Sequence, residues 1–222
     1  INLEVAAPLL RLLESKTRIK IAVGGRGSAK STGVGDIMLM FADYGDRICC
    51  TREFQNSIDD SVHENLKLEI ERLGLDDKFE VMATEIRGKN GGEVFYKGLS
   101  RNITSLKSLA GVKKLWIEEG ESVSTNSLRV LTPSIRSSAA ANVSEIHEAP
   151  EIWITMNRGS TKDAVAVKYL SRAEADLAKQ GWYQDELMTV VELNWRDNPW
   201  FPPELDMERR DDFENLPRAE YD

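Results

Sequence analysis

Cysteine is almost absent from this chain, and the two that are present cannot build a disulfide framework. Cys49 and Cys50 are neighbours among 222 residues, inside an apolar segment, 47–52, that is predicted to be a buried strand. The two histidines, His63 and His147, add too little for a structural zinc site, which takes about four nitrogen and sulfur ligands. A disulfide scaffold is therefore excluded, and we interpret both thiols as core packing.

Long apolar runs are missing as well. No stretch approaches the roughly 18–20 residues that a helix needs to cross a bilayer, and the first residues lack the basic and then apolar pattern of a signal peptide. We therefore expect a cytoplasmic protein with no membrane partner.

The chain also has fewer positive than negative charges. The chain carries 29 lysines and arginines against 37 aspartates and glutamates, a formal net charge of −8, and eight of the acidic residues fall in 200–222. This balance argues against a general nucleic-acid coat, whose affinity comes from neutralising phosphates. The cluster Lys107, Lys113 and Lys114 is compatible with a DNA contact on the main body and equally with a solvated face.

What the sequence does contain is an alternation of strand and helix patterns, which predicts a single α/β domain. Gly74 follows one of the predicted helices and is expected just past its end. The predicted elements are a helix over 5–13, a strand over 19–23, a helix over 32–44, a strand over 47–52, a helix from Ser57 to residue 73, a hairpin of 79–87 with 93–97, a strand over 115–117, a helix over 124–135, a strand over 151–155, a helix over 162–179 and a strand over 187–193.

A glycine-rich loop follows the first predicted strand and opens a helix. Its residues are Gly24, Gly25, Arg26, Gly27, Ser28, Ala29, Lys30 and Ser31, followed by Thr32. The spacing matches the phosphate loop (Walker A), except that alanine replaces the second glycine. Such a loop wraps a polyphosphate with backbone N–H groups, its lysine reaches the β and γ phosphates, and its serine holds Mg²⁺. A glycine-rich turn with a chance lysine is the alternative, which the flanking strand and helix disfavour.

Two carboxylates, Glu118 and Glu119, end a second apolar run. Successive side chains of a strand point to opposite faces, so we expect one to face a magnesium ion and the other to address attacking water. Two glutamates at a solvated sheet edge are the ordinary alternative, which the upstream loop disfavours. Thr155-Met156-Asn157 ends another apolar run and is compatible with either a phosphate-facing sheet edge or a simple turn.

Several arginines are candidates for stabilising a transferring phosphate. Arg26 lies within the loop itself. Others could act on a neighbouring subunit, although each is also compatible with a surface ion pair. These are Arg101, Arg129, Arg136 and Arg158.

In this combination the chain resembles the large terminase subunit of tailed double-stranded-DNA bacteriophages, and the likeness runs through most of its length. The matching features are the loop 24–31, the segment 52–58 with Arg72-Leu73-Gly74, the segment 106–109, the run 116–119, the triplet 155–157 and the tail 196–202 that contains Asp197-Asn198-Pro199. The ordered set is far more specific than the phosphate loop alone.

The resemblance implies an α/β P-loop NTPase fold of the ASCE or RecA-like kind, with a mostly parallel sheet flanked by helices. It implies ATP and Mg²⁺ as cofactors, with Lys30, Ser31 and Thr32 on phosphate and magnesium. Glu118 takes the place of the usual metal-side aspartate and Glu119 that of the catalytic carboxylate. The triplet ending in Asn157 is assigned to γ-phosphate sensing, and Arg26 to the loop arginine of terminases.

The resemblance also implies partners and a place of action. Large terminases package double-stranded DNA as rings of copies of themselves on the portal protein, with a small terminase subunit, in the cytoplasm of the infected bacterium, docked transiently on the procapsid. We expect residues 1–195 to form the ATPase domain and 196–222 a linker or subdomain. The usual nuclease domain would follow Asp222, so no nuclease activity is expected from this chain.

Three other functions share part of these features. A small-molecule kinase has the phosphate loop but does not need the second glutamate as a water activator. A helicase or recombinase-like DNA-dependent ATPase shares both features but lacks the Asp197-Asn198-Pro199 signature. A switch that binds nucleotide without hydrolysing it is compatible with the same residues. We interpret the chain as a Mg²⁺-dependent ATPase that drives viral DNA into a procapsid.

Overall fold

A twisted sheet organises the chain in the computed structural model, which describes residues 3–54, 59–100, 109, 111–137 and 149–215. Within these residues nine strands are hydrogen-bonded in the order β3-β4-β5-β2-β6-β7-β1-β9-β8. Their bounds are β1 Ile19–Gly24, β2 Arg47–Arg52, β3 Phe79–Val81, β4 Glu85–Gly88, β5 Glu93–Gly98, β6 Lys114–Ile117, β7 Glu151–Asn157, β8 Trp182–Gln184 and β9 Met188–Leu193.

The centre of the sheet is parallel. Strands β5, β2, β6, β7, β1 and β9 run in one direction, and β3, β4 and β8 join the two edges through antiparallel pairs. Strand β7 lies between β1 and β6, so that Ile154 pairs with both Ile21 and Ile117. The carboxyl ends of three adjacent strands therefore meet at one edge of the sheet, where α/β proteins bind ligands.

Helices cover both faces of this sheet. Their bounds are α1 Ala7–Glu14, α2 Lys30–Asp43, α3 Glu64–Arg72, α4 Thr125–Ser134, α5 Ala164–Lys168, α6 Glu174–Gln180 and α7 Pro203–Asn215. One hydrophobic cluster joins α1, α2 and α3 to the sheet, and a second joins α4, α5 and α6 to the other face. The parallel strands are buried on both sides, which explains their nearly continuous apolar runs.

The two cysteines show that successive side chains of one strand pack into the two different cores. Cys49 belongs to one cluster and Cys50 to the other, and both side chains are fully buried. Burial raises the pKa of the Cys49 thiol to about 12. Both cysteines are therefore packing residues, as the sequence predicts.

Two predicted elements differ from the structure. Residues 79–87 form two strands instead of one, because the chain reverses where the N–H of Met82 donates to the carbonyl of Glu85. The helix predicted over 162–179 is divided into α5 and α6 by a 3₁₀ turn, Leu170–Arg172, after Tyr169 leaves helical geometry at φ −123°. The predicted stop at Gly74 is confirmed by its left-handed φ of +63° after α3, whereas the predicted cap Ser57 lies outside the described residues.

The C-terminal helix α7 is acidic and contributes nothing to either core. Its residues are all exposed or half-buried, and its first turn carries Glu204 and Asp206. Across the part of the chain that the structure describes, no helix combines the length and apolar character needed to span a membrane.

Candidate functional site

The loop between β1 and α2 is held in a conformation that few sequences allow. A Cβ atom on Gly24 would lie 2.1 Å from the carbonyl oxygen of Leu193 in β9, so only glycine fits there. Gly27 and Ala29 both adopt left-handed backbone, with φ +76° and +59°. The hydroxyl of Ser28 donates to the carbonyl of Gly25 at 2.8 Å and closes the turn. The loop thus ends at the N-terminus of α2, where free N–H groups favour an anion.

Lys30 bridges the loop and the neighbouring strand β7. Its Nζ donates to the carbonyl of Gly25 at 3.0 Å and to Oδ1 of Asn157 at 2.7 Å. Burial lowers the pKa of Lys30, and the nearby carboxylates of Glu121 and Glu118 oppose that change. The ammonium is therefore tethered at the mouth of the loop between a carbonyl and an amide oxygen.

Glu118 stands directly after β6 and is almost fully buried. Its Oε1 accepts a hydrogen bond from the hydroxyl of Ser31 at 2.9 Å, and its Oε2 accepts from Nε of Arg52 at 2.5 Å. Burial raises the pKa of Glu118, while Arg52 and the Ser31 hydroxyl lower it. A hydroxyl and a carboxylate side by side are hard oxygen donors, and this donor set fits Mg²⁺.

Glu119 does not follow the alternation expected of a strand. Strand β6 ends at Ile117, and Glu119 has left-handed backbone with φ +53° and ψ +49°. Its carboxylate therefore turns toward the same guanidinium as that of Glu118, at 3.4 Å from Nη1 of Arg52. The expectation that the two glutamates point to opposite faces is wrong, because the strand has ended before them. With 43% of its side chain exposed, Glu119 is the carboxylate open to solvent.

Asn157, the last residue of β7, has a second partner that the sequence did not suggest. Glu121 accepts from the side-chain amide of Asn157 at 2.7 Å and from its backbone N–H at 3.0 Å. Since a lysine only donates and a carboxylate only accepts, these two neighbours fix the amide with its oxygen toward Lys30. The triplet ending in Asn157 therefore lies at the edge of the sheet beside the phosphate loop, and the turn interpretation is wrong.

Arg52 and Glu121 are the residues of this site that sequence reasoning missed. Arg52 ends β2, which is the neighbour of β6, so a prediction of strand order would have found it. Glu121 reaches Asn157 because the turn at Gly120 packs closely on β7. A Cβ atom there would lie 2.6 Å from Cγ2 of Ile154.

An open cleft of about 390 Å³ adjoins the phosphate loop. The loop 27–32 forms one wall, and the opposite wall comes from α3 and from the C-terminal segment, through Glu69, Arg72, Asn198, Trp200, Pro202 and Leu205. The amide of Asn198 donates to the carbonyl of Gly27 at 2.6 Å and so ties this segment to the loop.

The candidate arginines are placed differently from one another. Arg26, Arg129 and Arg136 are exposed. Arg158 is held by Glu192 at 2.5 Å and Glu174 at 3.0 Å, which accounts for it as an ion pair. Arg101 lies outside the described residues, as does Lys107 of the basic cluster.

A parallel sheet with a glycine-rich loop after its first strand, carboxylates at the end of a nearby strand and helices on both faces defines a P-loop NTPase fold. A model of the family described as "phage terminase large subunit" matches residues 16–221. The chain belongs to that family, and the predicted resemblance and fold class are confirmed.

Solved structures with this fold come from several phage packaging proteins. The large terminase of a thermophilic bacteriophage aligns with a TM-score of 0.65 at 11% identity, covering 93% of this chain and 49% of that one. The same terminase in complex with ADP aligns with a TM-score of 0.65 at 12% identity, over 93% of this chain and 50% of that one. The ATPase domain of the Thermus phage P74-26 large terminase aligns with 0.57 at 14% identity, over 100% of this chain and 91% of that one.

These likenesses establish the fold. The chain spans about half the length of the first of these terminases. A search of curated proteins finds no match.

Proposed function

We propose that this chain is the ATPase motor part of a large terminase, hydrolysing ATP to drive double-stranded DNA into a procapsid. The observation that carries the proposal is the contact between Ser31 and Glu118, which joins the phosphate loop to the carboxylates. Membership of the terminase family supports the same function.

In this proposal the loop 24–32 and the N-terminus of α2 bind the polyphosphate through backbone N–H groups. Lys30 would exchange its contacts with Gly25 and Asn157 for the β and γ phosphates. Ser31 and Glu118 would hold Mg²⁺, which when bound neutralises phosphate charge and orients the γ-phosphate. Arg26, exposed on the loop, would add positive charge at the transferring phosphate or at a neighbouring copy.

We assign to Glu119 the activation of the attacking water. Its carboxylate accepts a proton from the attacking water as the water oxygen bonds to the γ-phosphorus. The bond from that phosphorus to the bridging oxygen breaks, and the products are ADP and phosphate. Asn157, which is held by Glu121, would contact the γ-phosphate. When that phosphate leaves, the change in this contact would be transmitted to β7, which ends at Asn157.

The family and one of the relatives support a proposal for the partners. A packaging motor assembly of phage phi29 aligns with a TM-score of 0.61 at 14% identity, covering 98% of this chain and 65% of that one. By analogy we propose a ring of copies of this chain acting on double-stranded DNA at the portal protein, with a small terminase subunit, in the cytoplasm of the infected bacterium. Residues 1–195 would be the motor domain, and 196–222 the segment connecting it to the rest of the machine.

The first test compares phosphate release from ATP by the wild-type chain and by Glu119→Gln, with Mg²⁺ and at a protein concentration high enough for assembly. We expect turnover to fall by about 100-fold or more in the variant, because the glutamine cannot take the proton. ATP binding should be retained. Glu186→Gln, which changes an exposed carboxylate away from the site, is the control and should keep its turnover.

Unchanged turnover in Glu119→Gln would assign the carboxylate elsewhere. Tight ATP binding by the wild-type chain with no phosphate release, even with DNA present, would instead favour a nucleotide-controlled switch.

A further inference from the structure

The cleft beside the phosphate loop continues past the residues that would bind phosphate. Beyond Thr32 it is lined by the indole of Trp200 and the side chains of Pro202 and Leu205, together with Arg72 and Glu69 of α3. This end combines aromatic and apolar side chains with one cation and one carboxylate, a composition typical of a pocket for an organic ring. A volume of about 390 Å³ for the whole cleft lies within the range of small-ligand sites.

The aromatic wall is held in place from two directions. The side-chain oxygen of Asn198 accepts from the backbone N–H of Trp200 at 2.8 Å, while its amide donates to Gly27 at 2.6 Å. The ring of Phe201 lies against Gly27, where a Cβ atom would come within 2.9 Å of it. The position of Trp200 is therefore set through its neighbours Asn198 and Phe201, which contact the phosphate loop.

Arg72 is held in place by two acidic side chains and by the indole itself. The guanidinium of Arg72 lies 4.6 Å from the ring centroid of Trp200, and its Nη2 donates to the buried Asp36 at 2.6 Å. Its Nε donates to Glu69 at 2.5 Å. The guanidinium and the indole thus pack against each other and form one preorganised unit at the end of the cleft, with a carboxylate beside it.

We propose that this end of the cleft is the nucleoside subsite, in which Trp200 and Arg72 bind the base of a nucleoside triphosphate. The inference rests on the proposed function, since it takes the loop 24–32 as the phosphate subsite. Every base has a flat π face that can pack on an indole or a guanidinium. Glu69 can accept a hydrogen bond from the amino group of a base or from a ribose hydroxyl.

ATP and inorganic tripolyphosphate should therefore differ in the subsites that they contact. ATP contacts both subsites, whereas inorganic tripolyphosphate contacts the phosphate subsite alone. Removing the aromatic wall should therefore weaken ATP and leave tripolyphosphate unchanged.

The experiment measures the Kd of ATP and of inorganic tripolyphosphate, each with Mg²⁺, by isothermal titration for the wild-type chain and for Trp200→Ala. We expect ATP to bind about 10-fold to 100-fold more weakly to the variant, the range given by alanine substitution of stacking aromatics. Tripolyphosphate should change less than about twofold, and Trp200→Phe, which keeps a ring, should recover most of the ATP affinity.

Trp182→Ala is the matched control, because Trp182 also packs on an arginine, Arg11 at 3.8 Å, but in strand β8 away from the cleft. Its affinity for both ligands should equal that of the wild-type chain. Circular dichroism establishes that each variant is folded before it is titrated.

Three outcomes overturn the inference. Unchanged ATP affinity in Trp200→Ala places the base elsewhere. An equal loss for ATP and tripolyphosphate means that Trp200 acts only by shaping the loop. If the wild-type chain binds tripolyphosphate but gains nothing from the nucleoside, the subsite is absent and the phosphate site remains. A wild-type chain that binds neither ligand contradicts the proposed function itself.

Discussion

At the scale of single residues, Ala29 carries backbone strain within the phosphate loop. An alanine with left-handed backbone costs about 1–2 kcal/mol, which a glycine avoids. Glycine also makes the unfolded chain more flexible, which offsets part of the gain. We expect Ala29→Gly to raise the free energy of unfolding in urea by about 0.5–1 kcal/mol.

The control for that substitution is Ala166→Gly in helix α5, where the backbone is right-handed. There the same change should lower the free energy of unfolding by roughly 0.5–1 kcal/mol. A loss of stability in Ala29→Gly would mean that the loop tolerates the methyl group at no cost.

Asp36 is a second residue whose environment predicts a measurable effect. Burial raises the pKa of its carboxyl to about 8, and Glu69 adds to the rise while Arg72 opposes it. Its Oδ1 has no donor among the described residues, and the hydrogen bond between Asp36 and Glu69 needs a proton on one of the two acids. The Asp36–Glu69 pair therefore holds a proton in the folded chain at neutral pH.

The sign of the pH dependence follows from this proton. The unfolded chain loses it near the ordinary pKa of 3.8 and the folded chain near 8. Between these values the folded state binds more protons, so the free energy of unfolding falls as pH rises, by up to about 1.4 kcal/mol per pH unit. Asp36→Asn should remove this contribution. The free energy of unfolding of the variant should therefore rise relative to that of the wild-type chain between about pH 5 and pH 7.5.

Urea unfolding at several pH values measures the difference, with the exposed Asp76→Asn as control. Parallel stability curves for Asp36→Asn and the wild-type chain would show that Asp36 is already ionised in the folded state.

Some residues of the candidate site could be located from the sequence, and others could not. Lys30, Ser31, Glu118 and Asn157 could be predicted, because strand ends in a parallel sheet share an edge. Arg52 and Trp200 could not, since their places depend on which strands are neighbours and on how the chain returns after β9. Their roles remain proposals.

At the scale of elements, close packing outweighs helix propensity at one position of α2. A Cβ atom on Gly33 would lie 2.4 Å from Cδ1 of Leu9, a fully buried residue of α1. Alanine would gain about 1 kcal/mol of helix propensity but incur an overpacking cost of about 1–3 kcal/mol. We expect Gly33→Ala to destabilise the chain by roughly 1 kcal/mol in urea unfolding.

A double-mutant cycle with Leu9→Ala tests the cause, because removing the leucine also removes the clash. In that background Gly33→Ala should be neutral or stabilising. An equal cost in both backgrounds would place the strain elsewhere in the loop or helix.

Element boundaries were predictable where a local signal exists. Gly74 ends α3 with a left-handed backbone, and Ser124 caps α4 by accepting from the N–H of Ser127. The 3₁₀ turn after Tyr169 carries no glycine or proline, so the pattern over 162–179 predicts one continuous helix where the structure has two. Tertiary packing of Tyr169 and Leu170, both buried, accompanies the break.

At the scale of the whole molecule, the C-terminal segment is joined to the candidate nucleotide site as well as to the strands before it. Asn198 contacts the loop at Gly27, and Arg209 lies 4.1 Å from the ring of Trp195. The sequence analysis separated 196–222 from the ATPase domain as a linker or subdomain, and this segment is rich in acidic residues. Composition does not reveal that the first part of this segment returns to the phosphate loop.

That connection predicts a response of the C-terminal segment to nucleotide. If the base packs against Trp200, a bound ATP contacts both the loop and the segment 194–205, and local opening of either must break contacts with the ligand. We expect hydrogen exchange of the backbone amides in 194–205 to slow by about tenfold when ATP and Mg²⁺ are added to Glu119→Gln, which retains the nucleotide. Peptides from β3 and β4, at the far edge of the sheet, should exchange at the same rate with and without ATP. Protection of the loop 24–32 without protection of 194–205 would mean that the C-terminal segment does not take part in nucleotide binding, and that a motor built on this chain transmits the state of its nucleotide by another route.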